Sequence, residues 1–220
     1  HDPRVQNAIP LSGFESIMPT YQMLKAMCHT YDDLRIDKHH MMVISPDEGA
    51  LNRNIYYSSA MGVDMGMFYK RRDYTRVVNG RNPIVAHEYL GDSVEGKDVF
   101  VADDIIASGD SILDLAYNLK KRKAKRVFAG ATFAFFTSGL EAFDKAYADG
   151  VIDHVFATNL TYTPQAVLDR PWFSQADMSK YMAFVIATLN HDQSLSYLLN
   201  PWNRIEKLLT KYRAEHPHND

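Results

Sequence analysis

The stretch "VFVADDIIASGDSI", residues 99–112, decides the fold of this chain. Its apolar first half is almost uninterrupted, which is typical of a strand buried on both faces of a parallel sheet. Two adjacent carboxylates, Asp103 and Asp104, end that run, and a Ser-Gly-Asp-Ser turn follows them. The next residues, "SILDLAYNLKKRK" (111–123), carry the pattern of an amphipathic helix. A buried strand, a glycine turn and a helix in this order predict one unit of an α/β sheet.

The segments on both sides continue this alternation of strands and helices. Apolar strands are predicted at 40–45, 63–72, 126–136 and 152–159, and helices at 16–29, 50–60, 139–150, near 177–190 and near 203–213. Residues 73–96 fit neither pattern well, and we predict a long loop or flap with weak β character there. The fold class that follows is α/β, with an open, mostly parallel sheet flanked by helices.

Length and charge exclude several classes of protein. The chain has 220 residues, enough for one sizeable α/β domain or two small ones, and a formal charge of −3. A general nucleic-acid-binding protein would be clearly basic, so we expect no nucleic-acid partner. No apolar run approaches the roughly 20 residues that span a bilayer, so we expect no membrane partner. Cys28 is the only cysteine, which favours a reducing compartment and predicts a cytoplasmic protein.

The turn after the acidic pair has the chemistry of a phosphate site. Ligands of open α/β sheets bind outside the carboxyl ends of the strands. Unpaired N–H groups and the positive end of the helix dipole favour an anion at residues 107–111, a segment that we call the phosphate cup: Ala107, Ser108, Gly109, Asp110 and Ser111. Asp103 and Asp104 are suited instead to accept hydrogen bonds from a ribose diol. Together they predict a sugar-phosphate site, whereas the alternative is a helix cap with solvated aspartates.

Two other predicted strand ends should reach the same edge of the sheet. "SPDEG" (45–49) follows one strand, and "KRR" (70–72) ends another. Positive charges beside a predicted phosphate site indicate an electrostatic role for Lys70 and Arg72, although a short charge run is also typical of a solvated strand end. The convergence of three polar strand ends indicates a site more strongly than any one of them.

These motifs resemble a known family in the right order along nearly the whole chain. "VFVADDIIASGDSI" resembles the signature by which type I phosphoribosyltransferase-fold proteins bind 5-phosphoribosyl 1-diphosphate (PRPP). "SPDEGALNR" resembles the diphosphate loop of ribose-phosphate pyrophosphokinases, and "YKRRDYTR" resembles their flexible catalytic loop. "NLTYTPQ" (159–165) and "SLSYLL" (194–199) resemble late segments of the same enzymes. Ala107 and Ala50 depart from the family, which usually has an aspartate and a second glycine at these positions.

The resemblance implies a role for each candidate residue. Asp103 and Asp104 would contact the ribose hydroxyls, and residues 107–111 would hold the 5-phosphate. Lys70 and Arg72 would be the catalytic cations. Asp47, Glu48 and Gly49 would form the diphosphate loop. Mg²⁺ would be the cofactor, and Asp47 and His1 would help to hold it.

The resemblance also implies an activity and a domain organisation. A ribose-phosphate diphosphokinase makes PRPP and AMP from ribose 5-phosphate and ATP, for nucleotide biosynthesis. The full-length protein would be a homo-oligomer, and the present residues alone are expected to be inactive. Residues 1–15 would be the lead-in from an N-terminal domain outside this sequence, and residues 16–220 would form the phosphoribosyltransferase-like C-terminal domain. Two alternatives stay open: a non-catalytic regulatory subunit of the same fold, and a phosphoribosyltransferase that consumes PRPP.

Overall fold

The computed structural model describes residues 3–9, 13–72 and 84–217. A 3-10 helix at Pro3–Ala8 precedes eight α-helices and seven β-strands in these ranges. Their bounds are α1 Thr20–Thr30, β1 Met41–Ser45, α2 Leu51–Met61, β2 Asp64–Arg72, β3 Ile84–Leu90, β4 Asp98–Ile106, α3 Asp110–Lys121, β5 Arg126–Ala134, α4 Glu141–Ala148, β6 His154–Thr158, α5 Gln165–Leu168, β7 Phe173–Ala176, α6 Ser179–Asn190, α7 Ser196–Leu199 and α8 Trp202–Glu215.

The seven strands form one sheet in the order β3-β2-β1-β4-β5-β6-β7. Every neighbouring pair is parallel except β2 and β3. The predicted fold class, an open and mostly parallel sheet flanked by helices, is therefore confirmed. From β1 the chain builds outward to β2 and β3, and then returns to place β4 on the other side of β1. The carboxyl ends of β1 and β4 thus meet at the topological switch point, where open α/β sheets bind ligands.

β4 is buried on both faces because its alternate side chains enter two different cores. Val99 and Val101 belong to the core that α3 and α4 cover. Phe100 and Ala102 belong to the core that includes α1, α2 and α8. The near-continuous apolar run that begins at Val99 is thus part of the central strand of the sheet. Asp103 and Asp104, which follow it, lie near the carboxyl end of that strand.

The structure differs from the sequence-based assignment in several elements. Residues 73–96 were predicted as a loop or flap with weak β character, and part of this segment is strand β3, whose backbone partner is β2; residues 73–83 lie outside the described residues. Helix α1 begins at Thr20 and not at residue 16, because Pro19 occupies the cap position and proline disfavours helical geometry in the residue before it. The short strand β7 and the one-turn helices α5 and α7 were not predicted, since four-residue elements carry little periodic signal.

An ion-pair network closes the amino edge of the sheet, opposite the candidate site. The guanidinium of Arg126 donates to both carboxylate oxygens of the buried Asp98 at 2.9 and 2.6 Å, and to Asp33 at 2.8 Å. The same group lies 5.4 Å from the ring centroids of Tyr31 and Phe128. A buried carboxylate such as Asp98 is tolerated only with such a partner, so this network fixes the start of β4 against β5.

His154 lies at the same edge and is buried. Its Nε2 is 2.8 Å from Ser174 Oγ, and its Nδ1 is 3.3 Å from the Tyr31 hydroxyl. Burial lowers the pKa of His154 from 6.5 to about 4, because the charged imidazolium would lose its hydration. The folded protein therefore keeps this imidazole neutral at a pH where the unfolded chain protonates it.

We expect the stability of the fold to fall as the pH drops from 6.5 towards 4. The unfolded chain binds a proton at His154 in this range and the folded chain does not, so linkage favours unfolding by about 2 kcal/mol between pH 7 and pH 5. Urea unfolding of the wild type and of His154→Gln at both pH values measures this difference. The variant should lose less stability than the wild type, and equal losses in the two proteins would contradict the assignment.

No helix within the described parts of the chain combines the length and the apolar character needed to cross a membrane.

Candidate functional site

The two aspartates of the site lie inside β4, two residues before its end. Sequence patterning placed the end of the strand at Asp104, but Ile105 and Ile106 continue it beside β5. Asp103 Oδ1 accepts a hydrogen bond from the Asp104 amide at 2.8 Å, and Asp104 Oδ1 accepts one from the Ile105 amide at 3.0 Å. Each carboxylate is therefore held against the backbone of the next residue.

Arg53 on α2 is a site residue to which the sequence analysis gave no role. Its Nη1 lies 3.6 Å from Asp103 Oδ1 and 3.9 Å from Asp104 Oδ1, and all three side chains are largely shielded from solvent. The guanidinium offsets the repulsion between two adjacent carboxylates and brings positive charge to the site. Arg53 is inside the quoted motif "SPDEGALNR", but only the packing of α2 against β4 shows which carboxylates it meets.

Gly109 shapes the start of α3 in a way that no other residue reproduces. Its φ of 95° lies in the left-handed region, which favours glycine. A Cβ at this position would stand 2.2 Å from Cε2 of Phe143 on α4. The carbonyl of Gly109 accepts the first helical hydrogen bond of α3, from the Leu113 amide at 3.0 Å. The close approach of backbone and aromatic ring therefore depends on the absence of a side chain.

A cavity of about 130 Å³ opens beside this turn. It is larger than the roughly 30 Å³ share of one water molecule in the liquid, so it has room for a small polyatomic ligand. Its lining combines both parts of the predicted sugar-phosphate site and consists of Asp103, Ile105, Ile106, Ala107, Ser108, Gly109, Ser111 and Ile112. The structure thus brings together five of the seven residues that the sequence assigned to ribose 5-phosphate; Asp104 and Asp110 do not line this cavity.

Asp110 has a different environment from the rest of the phosphate cup. Its Oδ2 accepts a hydrogen bond from the Ser108 hydroxyl at 2.9 Å, and the carboxylate occupies the first turn of α3. A negative side chain there interacts favourably with the helix dipole. An incoming phosphate would compete with Asp110 both for that dipole and for the Ser108 hydroxyl.

The predicted diphosphate loop, residues 47–49, follows β1 at the same edge. Asp47 Oδ1 accepts a hydrogen bond from the Ala50 amide at 3.0 Å, and the Ser45 hydroxyl donates to the Asp47 carbonyl at 2.8 Å. Glu48 and Gly49 are exposed. Ala50 has φ −88° and ψ 0°, a conformation open to any residue, so the loop needs no second glycine to fold in this way.

The metal prediction stays a prediction. Among residues 3–9, 13–72 and 84–217, no three His, Cys, Asp or Glu side chains form a group that could hold a metal ion. His1 lies outside the described residues, and Asp47 uses one oxygen for the Ala50 amide. Oxygen ligands such as Asp47 suit Mg²⁺, which usually takes one or two carboxylates and completes its octahedron with water and substrate phosphates.

Lys70 and Arg72 lie at the carboxyl end of β2. The last β2 residue paired with β1 is Met67, opposite Ser45, and β2 then continues to Arg72 with β3 as its partner. The backbone of the "KRR" segment therefore extends beyond the end of β1, at the edge that carries the phosphate cup. The side chains of residues 70–72 lie outside the described part of the structure.

The family of the chain follows from a match that covers more than half of it. Residues 16–159 match the protein family described as Phosphoribosyl transferase domain. The chain belongs to this family. The matched residues of this phosphoribosyl transferase domain run from α1 to the end of β6, so they include the phosphate cup, the diphosphate loop and the "KRR" segment.

Curated relatives carry the name that the motifs had suggested. The domain is 34% identical over 160 residues to a ribose-phosphate pyrophosphokinase from Vibrio cholerae, a match that covers 72% of this chain and 48% of the relative. It is 29% identical over 187 residues to a ribose-phosphate pyrophosphokinase from Chromobacterium violaceum, covering 84% and 52%. The resemblance seen in the sequence is thus confirmed, and the chain spans about half the length of these relatives.

A solved structure confirms the fold. The phosphoribosyl transferase domain superposes on the phosphoribosylpyrophosphate synthetase from Mycobacterium smegmatis with a TM-score of 0.60 and 21% identity. The superposition covers 78% of this chain and 51% of that one. At this level of identity, the comparison shows that the two chains share their fold.

Proposed function

We propose that this chain is part of a ribose-phosphate diphosphokinase, which makes PRPP and AMP from ribose 5-phosphate and ATP. The observation that carries the proposal is the cavity that joins Asp103 to the glycine turn at the switch point of the sheet. It combines acceptors for a diol with donors for a phosphate. The name shared by the curated relatives supports the choice among proteins of this fold.

In this proposal, ribose 5-phosphate is held at two ends. The 5-phosphate accepts hydrogen bonds from the amides and hydroxyls of residues 107–111, where the start of α3 favours negative charge. The sugar hydroxyls donate to Asp103 and Asp104, whose charge Arg53 partly offsets. Fixing both ends orients the 1-hydroxyl, which a flexible sugar phosphate would not do in solution.

The reaction then joins O1 of the sugar to the β-phosphorus of ATP. As the O1–P bond forms, the bond between the β-phosphorus and the oxygen bridging to the α-phosphorus breaks, AMP leaves with that oxygen, and the proton of the 1-hydroxyl is released to solvent. Negative charge builds up on the transferring oxygens and on the leaving phosphate, so positioning and neutralisation are the main tasks of the protein. Lys70 and Arg72 would supply positive charge from the end of β2, and the loop 47–49 would receive the diphosphoryl group.

Magnesium is the proposed cofactor, with Asp47 and His1 as the protein groups that would hold it. When bound, Mg²⁺ neutralises charge on the nucleotide phosphates. We also propose that the whole protein works in the cytoplasm as a homo-oligomer.

Product analysis tests the proposal directly. The full chain, meaning these residues together with the N-terminal domain that the resemblance implies, is incubated with ATP, ribose 5-phosphate and Mg²⁺, and AMP and PRPP are separated by ion-exchange chromatography. We expect equal amounts of the two products. Replacing both Asp103 and Asp104 with asparagine keeps their size but removes their charge, and should weaken ribose 5-phosphate binding by about 10- to 100-fold. AMP release without PRPP would contradict the proposed reaction.

One observation favours a second candidate, a non-catalytic regulatory subunit. The Ser108 hydroxyl is already bonded to the Asp110 carboxylate, which reduces the attraction of the cup for phosphate. Binding of ribose 5-phosphate without any product from ATP would support this candidate. Consumption of added PRPP with a nucleobase would instead support a phosphoribosyltransferase.

A further inference from the structure

The part of β4 that carries Asp103 and Asp104 extends beyond the last register pair with its neighbour β1. Register pairs between β1 and β4 end at Val101, whereas β4 continues to Ile106. On the other side, the register pairs between β5 and β4 extend to Ile106. Asp103 and Asp104 therefore lie on an overhang that has strand support from β5 alone.

Ala102 is the first residue of the overhang, and its backbone N–H and C=O point towards the side of the sheet on which β1 lies. The amide of Asp98 donates to the His40 carbonyl on the β1 side at 2.8 Å. Backbone groups of alternate residues in a strand share one direction, so the N–H and C=O of Ala102 face the same side. Both groups are buried and need partners, because an unpaired buried amide or carbonyl is costly.

The side chain of Asn54 satisfies both backbone groups. Its Oδ1 accepts from the Ala102 amide at 3.0 Å, and its Nδ2 donates to the Ala102 carbonyl at 2.8 Å. Nδ2 also lies 2.9 Å from the Ala50 carbonyl and 3.4 Å from Ser45 Oγ. Because the amide can only donate and the carbonyl can only accept, the orientation of the Asn54 carboxamide is fixed. Asn54 is fully buried.

These contacts connect two parts of the candidate site that are far apart in sequence. On one side Asn54 bonds to Ala102, the residue directly before Asp103. On the other it bonds to Ala50, which follows the diphosphate loop, and approaches Ser45, whose hydroxyl donates to the Asp47 carbonyl at 2.8 Å. The carboxamide is thus the hydrogen-bonded bridge between the loop 47–49 and the overhang of β4.

We propose that Asn54 is a positioning residue: its carboxamide takes the place of the backbone partner that β1 no longer provides beyond its last pair with β4, and it sets the spacing between the diphosphate loop and the carboxylates that receive the ribose. This inference rests on the proposed function, since it assigns the two sides of the bridge to the two substrates. A spacing role predicts an effect on turnover, because a displacement of about 1 Å between reacting groups costs on the order of a hundredfold in rate.

The first test separates turnover from the binding of each ligand. In the full chain, Asn54→Ala should lower kcat for PRPP synthesis by about a hundredfold. The dissociation constants of ribose 5-phosphate alone and of inorganic diphosphate alone, measured by calorimetry, should change about threefold or less. The control is Ile152→Ala, which removes a buried side chain near the amino edge and should leave kcat within about twofold of the wild type. A wild-type kcat in Asn54→Ala overturns the inference.

The second test uses the pH profile of Asn54→Asp. A neutral carboxyl group offers one donor and one acceptor, as the Ala102 pairing requires, whereas a carboxylate offers no donor. The ratio of variant to wild-type kcat should therefore rise as the pH falls through the pKa of the new carboxyl group. A ratio that is independent of pH overturns the inference.

A third measurement distinguishes failure of the inference from failure of the proposed function. If the wild type makes no PRPP, calorimetry measures how inorganic diphosphate changes its affinity for ribose 5-phosphate. The coupling factor is the ratio of the ribose 5-phosphate dissociation constants without and with diphosphate. A factor that differs from one in the wild type and falls to one in Asn54→Ala still supports the spacing role. Equal coupling in both proteins overturns it, and a wild type that binds neither ligand overturns the inference and the proposed function together.

Discussion

Replacing either Lys70 or Arg72 with alanine is expected to lower the turnover number of PRPP synthesis by about a hundredfold. The backbone of both residues lies on the part of β2 that extends beyond β1, at the edge that carries the phosphate cup. Loss of one preorganised contact to developing negative charge typically costs on the order of a hundredfold, or about 2.7 kcal/mol. The Michaelis constants should change much less if these cations meet the substrates mainly in the transition state.

Steady-state kinetics on the full chain check this prediction against two related variants. Arg71→Ala changes the intervening residue of the motif and serves as the matched control, with a turnover number near that of the wild type. Arg72→Lys keeps the charge but replaces a planar bidentate donor by a point donor, so it should restore activity only in part. Normal turnover in both alanine variants would reduce the "KRR" segment to a solvated strand end and would favour the non-catalytic alternative.

Gly109→Val is expected to abolish binding of ribose 5-phosphate and of inorganic phosphate to the cup, a loss of at least about a hundredfold in affinity. Two independent effects act at this position. A β-branched residue is strained at φ 95°, and its Cβ would meet the Phe143 ring at 2.2 Å. Either the turn or the ring must move, and the amides that are meant to surround the phosphate then lose their arrangement.

The matched control is Gly150→Val. Gly150 also has a positive φ, of 67°, but no atom lies within 4 Å of the Cβ that would be added there. It follows α4 next to the amino edge, so this variant carries the backbone strain without the clash and without contact to the cup. In calorimetry, we expect Gly150→Val to bind phosphate and ribose 5-phosphate with the affinity of the wild type. We expect Gly109→Val to bind both ligands much more weakly. Equal affinities in all three proteins would show that the cup is not the phosphate site.

The sequence predicted most of the fold because its strands and helices carry strong periodic signals. The central strand β4 is apolar on both faces, and α3 presents the apolar stripe expected of a helix that packs on a sheet. Strand β3 was anticipated only as weak β character within a loop or flap, because its pairing with β2 contributes more to its strand structure than its own pattern does. Strand β7 has only four residues, two of them the polar Ser174 and Gln175.

The site was predictable only where one short stretch of sequence carries its chemistry. The acidic pair and the cup are contiguous, so residue types and spacing were enough to place five of their residues around one cavity. Arg53 and Asn54 were not found because their partners are about 50 positions away on another element. Their roles depend on how α2 packs against β4 and on where β1 ends, which no local pattern encodes.

The contact between Gly109 and Phe143 has an evolutionary consequence. The ring of Phe143 packs at 5.0 Å from Phe136 and at 5.3 Å from Trp172, in the middle of the core, so it cannot swing away freely. A side chain at position 109 therefore requires a smaller residue at position 143, in addition to a relaxed backbone at the turn. Positions 109 and 143 should covary among close homologues, with glycine at the first retained wherever an aromatic ring occupies the second.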